Sequence, residues 1–123
     1  MTLIDRGVAE GILAYAREAY PRESILLLRG KIRRGELHVT EVVIPPLATH
    51  AEAFSSFPLH LLPFDLSIIG TAHSHCYGEA RPSIQDLNNF FGRVMVIIAA
   101  PFRSEKNIGV FNRSGDSIPF QVI

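Results

Sequence analysis

Two histidines one residue apart, His73 and His75, close the run LSIIGTAHSH, which is apolar at first and polar at its end. Side chains on a strand alternate faces, so the two imidazoles point the same way, with α-carbons roughly 6.6 Å apart at ~3.3 Å rise per residue. Two rings at that spacing can converge on one ion. Zinc takes nitrogen at about 2.0–2.1 Å, commonly adds a carboxylate, and in catalytic sites keeps its fourth position for water. Asp86 is the natural third ligand: the segment from Cys76 to Pro82 contains Gly78 and Pro82, which suit a turn that brings the next helix back over the strand end. Each fragment also has an ordinary reading. A His-x-His on a strand is commonly a partly exposed pair, and Ser83-x-x-Asp86 is commonly only a helix cap. One open metal site accounts for all of them together, and the expectation is one Zn²⁺ per chain, with a bound water, held by His73, His75 and Asp86.

The elements that must position these groups follow from hydrophobic periodicity. Ile4, Val8, Ile12, Tyr15 and Ala19 recur at three- and four-residue spacing, one stripe of an amphipathic helix over Asp5–Ala19 that Pro21 ends. Ser24–Ile32 and Glu36–Pro45 read as two strands joined by the RRG turn, being apolar or β-branched and too short for helices. From Pro45 to Asp65 four prolines interrupt an otherwise apolar stretch, a long segment that is either functional or holds an element of its own. Leu66–His75 is a strand, and Ser83–Phe91 is a short helix with Ser83 as N-cap and Asp86 at its third position. Arg93–Pro101 is a buried strand; Asn107–Asn112 and Ser117–Ile123 flank an RSGD turn as a closing hairpin. This mixture predicts an α+β domain, a mixed sheet with helices packed on it.

At 123 residues the chain is expected to form one domain over residues 1–123. Lys and Arg total 12 against 12 Asp and Glu, and this neutral balance argues against nucleic acid, whose binding needs a basic face. The basic cluster Arg29, Lys31, Arg33, Arg34 surrounds glycines between two strands and reads as a solvated hairpin end. A single cysteine, Cys76, excludes an intramolecular disulfide and a thiolate-rich zinc cluster. Asp5, Arg6 and Glu10 stand where a signal peptide needs an apolar core, and no apolar run approaches the ~20 residues of a membrane span. The expected location is cytoplasmic, with no membrane partner and oligomeric state left open.

The spacing of His73, His75, Ser83 and Asp86 resembles the JAMM motif, His-x-His-x7-Ser-x2-Asp, of the MPN+ zinc metalloproteases. Arg81-Pro82-Ser83 is also typical, and Pro21-Arg22-Glu23 is similar to the Pro-x-Glu that the family places between its first helix and first strand. The resemblance runs over nearly the whole chain and is nearest to small archaeal and bacterial members that consist of little beyond the domain. It implies an MPN fold, similar in outline to cytidine deaminases. It implies that His73, His75 and Asp86 hold zinc, that Glu23 is the general base, and that Ser83 donates to the oxyanion. Glu18 and Glu79 are weaker candidates for the base, on a helix face and in a turn. The family usually has proline where this chain has Cys76, whose alternate facing makes it a bystander beside the ligands.

The implied reaction is hydrolysis of an isopeptide or peptide bond after the C-terminal tail of a ubiquitin-like protein, with conjugates of such a protein or of a small archaeal modifier as partners. An extended tail ending in Gly-Gly can add as a strand to an exposed edge, and Pro45–Asp65 is expected to supply part of that edge. The alternatives are processing of a sulfur-carrier adduct by the same chemistry, and a non-catalytic MPN scaffold; scaffolds typically lack a ligand, whereas none is missing here. The chain has no H-E-x-x-H and no P-C-x-x-C, which sets aside zincins and zinc deaminases. His38, His50 and His60 show no comparable spacing.

Overall fold

In the computed structural model, which describes residues 1–44 and 66–123, the amphipathic helix is α1 (Arg6–Ala19), with Val8, Ala9, Ile12, Leu13 and Ala16 buried. That is the stripe expected of a helix lying along a sheet. Ile4, assigned above to the same stripe, instead belongs to a short strand, β1 (Thr2–Ile4). Three residues are too few to show an alternation, and the partners of β1 lie far along the chain, so no local pattern marks it.

β2 (Ile25–Arg33) and β3 (Glu36–Val43) form the predicted antiparallel hairpin. Arg34 and Gly35 in its turn both have positive φ, 53° and 79°, the conformation whose twist suits a two-residue hairpin loop. β4 (Ile68–His75), α2 (Ile84–Asn88), β5 (Val94–Ala99), a 3₁₀ turn over Glu105–Asn107, β6 (Ile108–Phe111) and β7 (Phe120–Val122) follow. The seven strands make one sheet in the order β6-β5-β4-β2-β3-β1-β7. β4 pairs parallel with β5, and β1 pairs parallel with β3 and β7, while the other pairings are antiparallel.

The closing hairpin forms only in part. Phe111 bridges Ser117, and the Ile118 amide donates to the Val110 carbonyl at 2.9 Å. Pro119 has no N–H to continue that ladder, and β7 departs to pair with β1, the Thr2 amide donating to the Pro119 carbonyl at 3.1 Å. One core cluster joins α1 to side chains from every strand, among them Ile4, Leu26, Val39, Ala72, Val96, Val110 and Val122. A smaller cluster of Phe90, Met95, Ile97 and Phe111, with Leu87 of α2 against it, covers the other face. The predicted α+β architecture is thus the observed one, with one described helix on each face. The basic hairpin end is solvated: Lys31, Arg33 and Arg34 are exposed, and Arg29 pairs with Glu41 at 3.3 Å. Among the described residues no helix is long and apolar enough to cross a membrane.

Candidate metal centre

β4 runs in the interior of the sheet between β2 and β5. Alternation sends Thr71, His73 and His75 to the face of their β5 neighbours Met95 and Ile97, while Ala72 and Cys76 enter the core beside α1. Beyond Cys76 the chain turns through Gly78 at φ 90°. The carbonyl of Ala80 then packs against Gly109 of β6, where a Cβ would come within 2.7 Å of it. A glycine in β6 is therefore what lets this turn lie down on the sheet.

The turn delivers the chain into α2 at Ser83, whose side-chain oxygen accepts from the Asp86 amide at 3.0 Å while the Asp86 carboxylate accepts from the Ser83 amide at 2.9 Å. This reciprocal cap fixes the aspartate at the third helical position, on the side facing β4. The same Oδ2 of Asp86 accepts from His75 Nε2 at 2.9 Å, and Oδ1 stands 3.4 Å from His73 Nδ1. The other ring nitrogens are held as well: His73 Nε2 lies 3.1 Å from Thr71 Oγ1, and His75 Nδ1 lies 3.4 Å from the Glu79 carbonyl. His73 and Asp86 are buried, 3% and 6% exposed, and His75 is partly open. The side chains that the sequence assigned to one ion are thus neighbours, joined through Asp86.

The electrostatics follow from that contact. Burial opposes the charge on Asp86, yet the adjacent His73 ring and the hydrogen bonds from His75 and the Ser83 amide outweigh it and hold the carboxyl far below the ordinary range. The hydrogen bond to Asp86 raises His75 above its ordinary 6.5, against the desolvation that would lower it. Burial, with the nearby charge of Glu23, pushes the Cys76 thiol up. A buried neutral thiol on the opposite face is a core residue, as the alternation implied.

Two nitrogens and a carboxylate are the donor set zinc prefers. Ligands about 2.0–2.1 Å from a tetrahedral ion lie about 3.3 Å from one another, and the contacts of 2.9 and 3.4 Å bracket that spacing. Among the described residues no three His, Cys, Asp or Glu side chains stand as a finished cage; the carboxylate is closed onto His75 by a hydrogen bond and stands 3.4 Å from the His73 ring. By donor type, and by the spacing of each ring from the carboxylate, the three residues suit the ion.

Glu23 sits just before β2 and is exposed. The regular pairing of β2 with β4 ends at Ile25 with His73, two residues after Glu23 and two before His75. Its charge acts on both His75 and Cys76. Thr71 escaped the sequence reading, although its position two residues before His73 on the same face was the available signal. Ser24 and Ser74, which hydrogen-bond between β2 and β4, carried no local signal because their contact spans 50 residues. The segment Pro45–Asp65, with His50 and His60, lies outside the described residues.

A family model described as prokaryotic homologues of the JAB domain matches residues 5–113. A "probable metalloprotease" of Haloferax volcanii is 35% identical over 122 residues, covering 89% of this chain and 74% of that protein. A solved structure described as a JAMM metalloprotease-like zinc site in the proteasome and signalosome superposes with a TM-score of 0.74 at 27% identity, covering 100% of this chain and 98% of that one. A JAB1/MPN domain protein from Archaeoglobus fulgidus superposes with a TM-score of 0.68 at 26% identity, covering 98% and 97%. With the family model spanning most of the sequence and the sheet, the described helices and the His-His-Asp cluster all in place, this chain belongs to the prokaryotic branch of the JAB family and is a JAMM/MPN metalloprotease-like domain.

Proposed function

We propose that the protein is a zinc-dependent hydrolase that cleaves isopeptide or peptide bonds after the C-terminal tail of a ubiquitin-like protein. The observation that carries this reading is the gathering of His73 and His75 on Asp86, at 3.4 and 2.9 Å, with the charge of Glu23 acting on His75. The likeness to a zinc-site structure and to a probable metalloprotease supports it. In this scheme His73, His75 and Asp86 hold the metal. When bound, zinc supplies Lewis acidity toward the scissile carbonyl and lowers the pKa of a water to about 7. Glu23, exposed at the rim, takes the proton from the attacking water and passes it to the departing amine. Ser83 Oγ is already an acceptor for the Asp86 amide, which directs its O–H away from the helix. That O–H donates to the oxyanion developing on the substrate carbonyl.

The test is incubation with a ubiquitin-like domain joined through its terminal Gly-Gly to a lysine side chain, comparing wild type, chelated protein and Glu23→Gln. Wild type is expected to cleave and the other two are not, and zinc stays bound in Glu23→Gln because that carboxylate is not a ligand. The loss there is expected to be at least about 10²-fold, the usual contribution of a positioned base. Equal turnover by Glu23→Gln removes Glu23 from the mechanism, and a purified protein that neither holds zinc nor cleaves favours the scaffold alternative.

A further inference from the structure

We infer that Ser74, the residue between the two histidines, is a positioning residue that fixes the proposed base Glu23 relative to the metal ligands. This inference rests on the hydrolase reading above and assigns one further residue to it.

The paired residues of β2 and β4 sum to a constant register from Leu28 with Gly70 to Ile25 with His73. One more step sets Ser24 opposite Ser74. There the regular ladder gives way: the Ser74 amide still donates to the Ser24 carbonyl at 3.0 Å, but the Ser24 amide donates to the Ser74 side-chain oxygen at 2.7 Å. The two hydroxyls also meet, at 3.0 Å. A side chain has taken over a place in the strand pairing, at the point where β2 enters the sheet.

The amide that Ser74 holds belongs to the peptide unit linking Glu23 to Ser24. The hydroxyl therefore pins the plane that immediately follows the Cα of Glu23, the carboxylate-bearing residue that is itself exposed and outside the strand. Ser74 is 1% exposed, so no water competes for that bond and its hydrogen-bonding capacity is spent inside the protein. It also lies on the face opposite His73 and His75 by alternation. Ser74 acts on the base through the backbone and does not touch the substrate. Holding two ligands on either side of the residue that clamps the base places all three groups on one rigid segment of β4.

Removing the hydroxyl leaves the Ser24 amide without its acceptor and lets the Glu23 segment swing. A displacement of about 1 Å in a reacting group can cost about 10²-fold in rate. In Ser74→Ala, kcat on the Gly-Gly–lysine conjugate is expected to fall by about 10- to 100-fold, with KM and zinc stoichiometry near wild type. Amide exchange at Ser24 is expected to quicken. Ser74→Thr, which keeps the oxygen, restores both turnover and slow exchange, and Ser24→Ala, which removes only the hydroxyl–hydroxyl contact, loses less than Ser74→Ala. Unchanged kcat in Ser74→Ala, unchanged Ser24 exchange, or a loss of kcat matched by loss of zinc overturns the assignment. Should wild type cleave no such conjugate, the hydrolase reading fails and this role fails with it; should wild type cleave and Ser74→Ala cleave equally well, only the role of Ser74 fails.

Discussion

Ser83 is assigned two tasks that ordinary mutagenesis would confuse, and glycine separates them. Its oxygen caps α2 by accepting the Asp86 amide at 3.0 Å, and its O–H is proposed to donate to the oxyanion. At an N-cap, alanine in place of serine costs about 1 kcal/mol, whereas glycine costs only a few tenths. Ser83 has φ −80° and ψ 170° and is exposed, so glycine meets no conformational or packing barrier. For 123 residues the unfolding entropy is about 0.26 kcal/mol/K, so Ser83→Ala is expected to lower Tm by about 4 °C and Ser83→Gly by about 1 °C. Losing an oxyanion donor costs about 2.7–4 kcal/mol in the transition state, a fall in kcat of about 10²–10³-fold. The amide of Ser83, which holds Asp86 at 2.9 Å, is present in both variants, so zinc content is expected to stay at wild type. Calorimetry, metal analysis and single-turnover cleavage on the same preparations give the three numbers. A kcat for Ser83→Gly within about threefold of wild type, set against the expected 10²-fold, would falsify the donor role and leave Ser83 a cap.

Gly109→Ala would place a Cβ 2.7 Å from the Ala80 carbonyl and 2.8 Å from the Phe111 ring; it is expected to cost about 1–3 kcal/mol and to lower turnover by lifting the turn that leads to Ser83, measured by denaturant melts and cleavage. Gly11→Ala, on an exposed helix position with nothing within 4 Å of the new methyl, is expected to stabilise by about 0.5–1 kcal/mol with turnover unchanged, and a destabilised variant would contradict the packing described for α1. The metal-free protein is expected to be held best between the ordinary values of Asp86 and His75, 3.8 and 6.5. The depressed Asp86 contributes above its unfolded value and loses that stability as pH falls, whereas the raised His75 contributes below 6.5 and loses it as pH rises through its folded value. Urea melts across pH read this directly, and a stability that climbs steadily from pH 6 to 9 would refute the His75–Asp86 contact.

The parts of the site legible in the sequence are those fixed by local geometry. Strand alternation put His73 and His75 on one face, and Ser-x-x-Asp announced the cap that aims Asp86, because both depend on residues a few positions apart. Glu23 was legible only through family resemblance; by composition it is a charge at the start of a strand. The pairing of β1 with β3 and β7, and the Ser24–Ser74 contact, depend on chain segments brought together only by folding. The closing hairpin was half legible: RSGD marked its turn, but the consequence of Pro119 depended on β1 being there to accept the departing strand.

The interior place of β4, hydrogen-bonded to β2 and β5, bears on how the protein would gain and lose the proposed ion. Segments paired on both sides are among the last to open, so the ligand strand keeps its form whether or not a cation is present. Capture then requires only protons to leave and side chains to adjust, unlike small zinc domains that assemble around their metal. Stripping the ion should accordingly leave a dormant but intact molecule, and returning it should revive the molecule at once, without refolding.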